Sequence, residues 1–142
     1  MSEPSTFFWL TMTSGSMMPL MPPQAKIGVH VIAKTALQMG DIAVFIAENK
    51  LIAHRVLRIE TDGFWQCGDT NLSASKILYA QLIGKVEQIQ TVKNTRFLKK
   101  SVYLQRSIAR CNHFIVRLYP RYPRFSLFLH HLKYYVLKGL FH

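Results

Sequence analysis

The hydrophobic period of this chain changes near residue 97, and that change restricts the folds open to it. Before residue 97, short apolar runs rich in β-branched residues alternate with turn residues, which is typical of β-strands. After it, apolar residues recur every three or four positions, as they do in amphipathic helices. We therefore expect a mainly β domain over residues 1–92 and a helical tail over residues 93–142.

The predicted β domain consists of short strands joined by tight turns. Asn49-Lys50 and Asp62-Gly63 are the expected hairpin turns. Strand after strand with short connections predicts an antiparallel sheet. Ahead of the strands, residues 1–13 form an expected lead-in with an apolar patch at 7–10, and residues 14–23 form a proline-rich loop. The expected strands are 27–33, 42–47, 51–59 and 64–67, with one or two closing strands within 77–92.

The tail is predicted to contain two helices. In the first, residues 97–118, apolar and basic side chains fall on opposite faces at 100° per residue. Pro120 and Pro123 are expected to end this helix, and a second is expected over residues 124–141. The expected apolar face holds Phe97, Leu104, Ile108, Cys111, Ile115 and Leu118, and the expected basic face holds Lys99, Arg106, Arg110, His113 and Arg117.

The net charge of +11 comes entirely from the tail. Residues 1–92 contain seven Lys/Arg and seven Asp/Glu, whereas residues 93–142 contain eleven Lys/Arg and no acid. A cationic amphipathic tail favours contact of residues 97–141 with an anionic membrane surface or a membrane protein. Packing on the β core or in a dimer is the second interpretation, and a nucleic-acid-binding arm is the least favoured.

Other features of the sequence exclude several classes of protein. Cys67 and Cys111 are too few for a disulfide framework, and both are expected to be small buried hydrophobic residues. The sequence has no CxxC pair or metal-ligand cluster, so we expect no metal and no other cofactor. It has no long uncharged apolar run, and Glu3 without a basic segment argues against a secretory signal. The expected location is cytoplasmic or peripheral at the inner face of a membrane.

Three stretches contain residues suited to hydrolytic chemistry. Ser14-Gly15-Ser16 is either an ordinary polar loop or one in which a hydroxyl nucleophile and its backbone N–H face a substrate carbonyl. His54 lies between apolar residues of an expected strand, where it is either a satisfied core residue or the base that a serine needs. Gly68-Asp69-Thr70-Asn71, taken alone, is typical of a turn.

Together and in this order, these stretches resemble the signal peptidase I family of serine peptidases. Residues 14–19 (SGSMMP) resemble the family's nucleophile motif, and His54-Arg55-Val56 resembles the segment with its general base. The resemblance implies an antiparallel β fold that is shared with repressor autoproteases. Three further stretches match family motifs: residues 40–45 (GDIAVF), 68–71 (GDTN) and 83–86 (IGKV).

The resemblance implies a catalytic role for three residues. Ser16 is the implied nucleophile, and its N–H forms an oxyanion hole with the help of the Ser14 hydroxyl. His54 is the implied general base and stands where most bacterial members have lysine, as in the archaeal, endoplasmic-reticulum and sporulation-type branches. Lys50 is the rival for this role, but it is expected at a turn.

The sequence departs from the family pattern at three places. The spanning N-terminal helix is missing, and Gln24-Ala25 replaces the first Gly-Asp after the nucleophile. The second acid after the Gly-Asp turn is also absent, because residues 72–76 read Leu-Ser-Ala-Ser-Lys. We therefore expect a Ser-His pair whose imidazole is oriented by Asp69, Ser73 or Ser75.

The resemblance predicts a serine endopeptidase that removes a leader or signal segment from a peptide or preprotein. Two alternatives stay open. One is a non-catalytic scaffold that has lost the second acid. The other is a repressor-type autoprotease, but such proteins carry a DNA-binding domain before the peptidase and a lysine base. The thirteen residues before Ser14 are too few for that domain, so nucleic acid is the least favoured partner.

Overall fold

Residues 6–141 form a mainly β fold that ends in two helices, as described by a computed structural model. Residues 1–5, which include Glu3 and the start of the predicted lead-in, and His142 lie outside the described part. The sheet is antiparallel and curls into a half-barrel. The predicted fold class, an antiparallel β domain with a helical tail, is therefore confirmed.

The described sheet has eight strands, paired in the order β1-β2-β7-β3-β4-β5-β6, with β8 paired to β7. The predicted lead-in contains a strand that the sequence analysis did not include, β1, which pairs with β2. The sheet also extends past residue 92, because β8 adds to β7. The strands are β1 Phe7–Thr11, β2 Lys26–Val31, β3 Ile42–Ala47, β4 Lys50–Ile59, β5 Gly63–Cys67, β6 Ser75–Leu78, β7 Leu82–Gln90 and β8 Thr95–Phe97.

The hairpin between β3 and β4 turns at Glu48-Asn49, one residue earlier than predicted. Ala47 pairs with Lys50, which leaves two residues in the loop. Glu48 and Asn49 both have positive φ angles, 53° and 60°. Two successive positive φ angles are the conformation of the tight turns that suit the twist of a hairpin, and asparagine tolerates it well.

The tail forms α1, Val102–Leu118, and α2, Pro123–Leu140. α1 begins later than residue 97 because Phe97 belongs to β8 and a short 3-10 turn, Leu98–Ser101, follows it. Pro123 stands in the first turn of α2, where the missing N–H leaves no helical hydrogen bond unmade. Neither helix of the described chain combines the length and apolar character needed to cross a bilayer.

The buried face of α1 is rotated from the predicted one. Gln105, Ala109 and Asn112 are buried beside Ile108, whereas Cys111 is exposed. The reason is that buried polar groups of the β domain bind the two amide side chains of α1. The prediction that both cysteines are buried is thus right for Cys67 and wrong for Cys111.

Candidate active site

The loop that carries Ser16 is anchored in the core by two methionines. Met17 and Met21 are fully buried, form a β-bridge with each other and pack in one cluster with Ile27 and Val44. Full burial of such a side chain contributes about 1.5–3 kcal/mol. The apolar positions of the motif therefore hold the backbone of Ser16 in place.

A second loop, residues 68–71, supports Ser16 from the other side. The Thr70 N–H donates to the Ser16 carbonyl oxygen over 2.9 Å. A Cβ atom on Gly68 would lie only 2.7 Å from that same oxygen, so this close approach requires glycine. The turn that follows β5 is thus part of the support of the candidate nucleophile.

The structure brings Ser16 and His54 together. His54 projects from β4, and its Nε2 atom lies 3.1 Å from the Ser16 Oγ atom. Both side chains are half-buried. A serine hydroxyl that donates to a neutral imidazole over this distance has the geometry of a nucleophile beside its base. Lys50, the rival base, lines the same cleft at the start of β4.

The other nitrogen of the imidazole contacts Gln66, a residue that the sequence analysis missed. Gln66 Oε1 lies 2.7 Å from His54 Nδ1, and Gln66 Nε2 donates to Ser75 Oγ over 2.7 Å. In this arrangement Nδ1 carries the proton and the lone pair of Nε2 faces Ser16. The one available indication was an amide within the otherwise apolar strand of residues 63–67.

Burial sets the protonation state of His54. Desolvation lowers the pKa of the imidazole, and the hydrogen bond that His54 donates to Gln66 and the charge of Asp69 oppose that shift only in part. A lowered pKa keeps the imidazole neutral near pH 7, which is the form that can accept a proton from a hydroxyl.

The two predicted oxyanion donors, the Ser14 hydroxyl and the Ser16 N–H, both lie beside the Ser16 Oγ atom. The Ser14 Oγ atom lies 3.2 Å from the Ser16 Oγ atom. Among residues 6–141, no backbone acceptor binds the Ser16 N–H. A hydroxyl and an N–H that both lie beside the attacking oxygen can stabilise the negative charge of a tetrahedral intermediate.

Asp69 does not orient His54, contrary to the expectation. Its carboxylate forms a buried bidentate ion pair with Arg55, from Nε to Oδ1 at 3.1 Å and from Nη2 to Oδ2 at 2.7 Å. Asn112 on α1 donates to Oδ1 over 2.8 Å. The carboxylate is therefore used to neutralise Arg55. Of the other two candidates, Ser75 reaches His54 only through Gln66, and Ser73 is exposed.

The Arg55–Asp69 pair also joins the tail to the β domain. Arg55 donates to the Gly40 carbonyl and to Gln105 on α1. Lys133 on α2 donates to the Asp69 carbonyl over 2.7 Å and to Asn112 over 2.5 Å. Both helices thus bind Asp69, a residue of the loop that supports Ser16.

A cleft of about 610 Å³ leads to Ser16 and His54. Residues 10–13 form one wall and residues 50–53 form the other. Within residues 6–141, no strand pairs with the outer edge of β1, and β5 pairs with β4 only from Arg55 onward. Two strand edges with unused hydrogen-bonding groups therefore border the cleft.

A serine hydroxyl beside a neutral imidazole is an arrangement that can perform acyl transfer. No group of three or more His, Cys, Asp or Glu side chains within residues 6–141 is placed to bind a metal. No protein-family model matches the sequence, and no curated protein matches it either.

Proposed function

We propose that this chain is a serine endopeptidase of the signal peptidase type that removes a leader or signal segment from a peptide or preprotein. The observation that supports this most strongly is the continuous contact from Ser16 Oγ through the His54 imidazole to Gln66. The resemblance of the motifs to the signal peptidase I family indicates the type of reaction. The contact provides the nucleophile and the base that such a reaction needs.

In the proposed mechanism, Ser16 Oγ attacks the scissile carbonyl carbon while His54 Nε2 takes the hydroxyl proton. The carbonyl oxygen becomes an oxyanion, which the Ser16 N–H and the Ser14 hydroxyl stabilise. The C–N bond then breaks, and the imidazolium gives its proton to the departing amine. A water molecule, deprotonated by His54, attacks the acyl-enzyme and releases the carboxylate product and Ser16.

The cleft supports a peptide substrate in extended conformation. An extended chain laid between residues 10–13 and residues 50–53 would find backbone donors and acceptors on both sides. Main-chain pairing of this kind supplies affinity for any sequence, so side-chain selection would depend on the walls near Ser16.

The proposed location is the cytoplasm or the inner face of a membrane. The support is the charge of the tail, with eleven Lys/Arg and no acid in residues 93–142. Anionic lipids are concentrated on the cytoplasmic leaflet and attract basic segments of this kind.

The decisive experiment is covalent labelling of Ser16 with a fluorophosphonate probe, followed by mass spectrometry of the labelled peptide. We expect labelling of the wild type, loss of labelling in Ser16→Ala and strong loss in His54→Ala. Ser73→Ala is the matched control, because it removes an exposed serine outside the contact chain. Equal labelling of Ser16→Ala and wild type would overturn the proposal.

A further inference from the structure

The second tail helix carries a wide apolar face that stays exposed. At 100° per residue, six large apolar side chains of α2 fall within an arc of about 140°, and no charged residue falls within that arc. An exposed apolar patch of this extent marks a surface that contacts something apolar. Its six large members, each more than half exposed, are Phe125, Phe128, Leu132, Tyr135, Val136 and Leu140.

The apolar face continues across a groove onto α1. The groove has a volume of about 390 Å³ and is lined from the α1 side by Leu104, Cys111 and Phe114. Phe114 is 58 % exposed. These residues do not face the β domain, because the polar residues Gln105 and Asn112 of α1 face Arg55 and Asp69 instead. The two helices therefore present one joint surface, which we call the tail face.

Cations border the tail face on both outer sides. Arg110 and Arg117 follow its edge on α1, and Arg124 and Lys138 follow its edge on α2. All four are exposed, and residues 93–141 contain no acid that could neutralise them. The surface thus combines an apolar centre rich in aromatic rings with a basic border, which is the arrangement of helices that lie in the interface of a bilayer.

We propose that the tail face binds the surface of an anionic bilayer, with both helices lying in the plane of the membrane and their apolar side chains among the acyl chains. A second copy of the chain fits this surface poorly, because pairing two tail faces would bring eight like charges together with no acid between them. This binding rests on the proposed membrane location and names the surface that would be responsible for it. Ser16 can be the nucleophile whether or not the tail face binds a bilayer, so the two proposals are tested separately.

The test is co-sedimentation with vesicles of phosphatidylcholine, with and without phosphatidylserine. The Ser16→Ala protein is used, so that proteolysis plays no part. We expect binding to the anionic vesicles that weakens as salt is raised. Phe128→Glu and Val136→Glu should each weaken this binding about tenfold or more, since each removes the burial of a large apolar side chain.

Val92→Glu is the matched control. It makes the same change of charge at a fully exposed apolar residue on the turn between β7 and β8. We expect its binding to stay within about twofold of the parent, because Val92 lies outside the tail face and the attraction between a charge and an anionic bilayer falls off within a Debye length of the surface. Circular dichroism of all variants would show that the helices are retained.

Cys111 provides an independent measurement of insertion. It is exposed on the tail face, whereas Cys67 is buried, and burial raises the pKa of the Cys67 thiol to about 12. A polarity-sensitive dye on Cys111 should shift its emission to the blue when anionic vesicles are added. Three outcomes would overturn the inference: no binding at low salt, equal weakening by Val92→Glu, or a dimer in solution that Phe128→Glu dissociates.

Discussion

The side-chain oxygen of Gln66 lies 2.7 Å from Nδ1 of His54, in the place where many serine hydrolases have a carboxylate. An amide oxygen fixes the ring and its tautomer as a carboxylate does. It carries no charge, however, and therefore stabilises the imidazolium less. Gln66 is itself held by Ser75, so its oxygen is directed at His54 before any substrate binds.

Replacing Gln66 with alanine should lower kcat by about a hundredfold, because the imidazole loses the contact that holds it toward Ser16. KM should change little, since Gln66 does not line the cleft where the peptide would lie. Steady-state kinetics of peptide cleavage measures both values. Ser75→Ala is the control, and it should have a smaller effect because the bond from Gln66 to His54 remains. A rise in KM with unchanged kcat would contradict the positioning role.

The rate should depend on pH through His54. Burial lowers the pKa of the imidazole, so the acidic limb of kcat/KM should lie below the ordinary histidine value of about 6.5. Gln66→Glu places a negative charge at Nδ1 and favours the protonated ring, which should move that limb to higher pH. A pH–rate profile of the two proteins measures the shift. An unchanged or lower midpoint in Gln66→Glu would count against His54 as the base.

The protein should unfold more readily when the charge of Asp69 is removed. Asp69→Asn leaves the fully buried Arg55 without its counter-ion, which should lower the free energy of unfolding by about 3–5 kcal/mol. Asp62→Asn is the matched control, because it breaks an exposed ion pair with Lys76 and should lower the free energy of unfolding far less. Urea denaturation gives both values. Similar losses in the two variants would mean that Asp69 is not the centre of a buried network.

Gly68→Ala should impair catalysis by moving Ser16. The added Cβ meets the Ser16 carbonyl at 2.7 Å, so one of the two loops must shift. We expect kcat to fall about a hundredfold for a displacement near 1 Å. Gly139→Ala, where a Cβ meets nothing within 4 Å, should leave kcat unchanged and stabilise α2 by up to about 1 kcal/mol. A fully active Gly68→Ala enzyme would show that the Ser16 loop tolerates the shift.

Much of the fold follows from local pattern. The predicted strand 42–47 has the bounds of β3, and three other predicted strands fall within one or two residues of β2, β4 and β5. Pro120 and Pro123 divide the tail as expected. The pairing of β7 with both β2 and β3 was not predictable, because contacts between strands far apart in sequence leave no periodic trace in either.

The candidate site was also predictable only where it depends on local pattern. The motif around Ser16 and the strand with His54 are local patterns, and they identified the pair that lies 3.1 Å apart. The role of Gln66 depends on where β5 lies against β4, and that of Asp69 on where α1 packs. The hydrophobic pattern predicted that only apolar residues of α1 face the β domain. Gln105 and Asn112 also face it, because they form hydrogen bonds with the buried charged groups of Arg55 and Asp69.

His54 and Arg55 are consecutive residues of one strand, and consecutive side chains of a strand point to opposite faces. One faces Ser16 and the other faces Asp69. Deleting one residue from the turn at Glu48-Asn49 would shift β4 by one position, so that Arg55 would take the place of His54 and Val56 that of Arg55. A permanently charged guanidinium would then lie beside the nucleophile, and the Asp69 carboxylate would lose its counter-ion in the interior. The length of a single two-residue turn therefore decides both whether the serine has a base and whether the interior is electrically neutral.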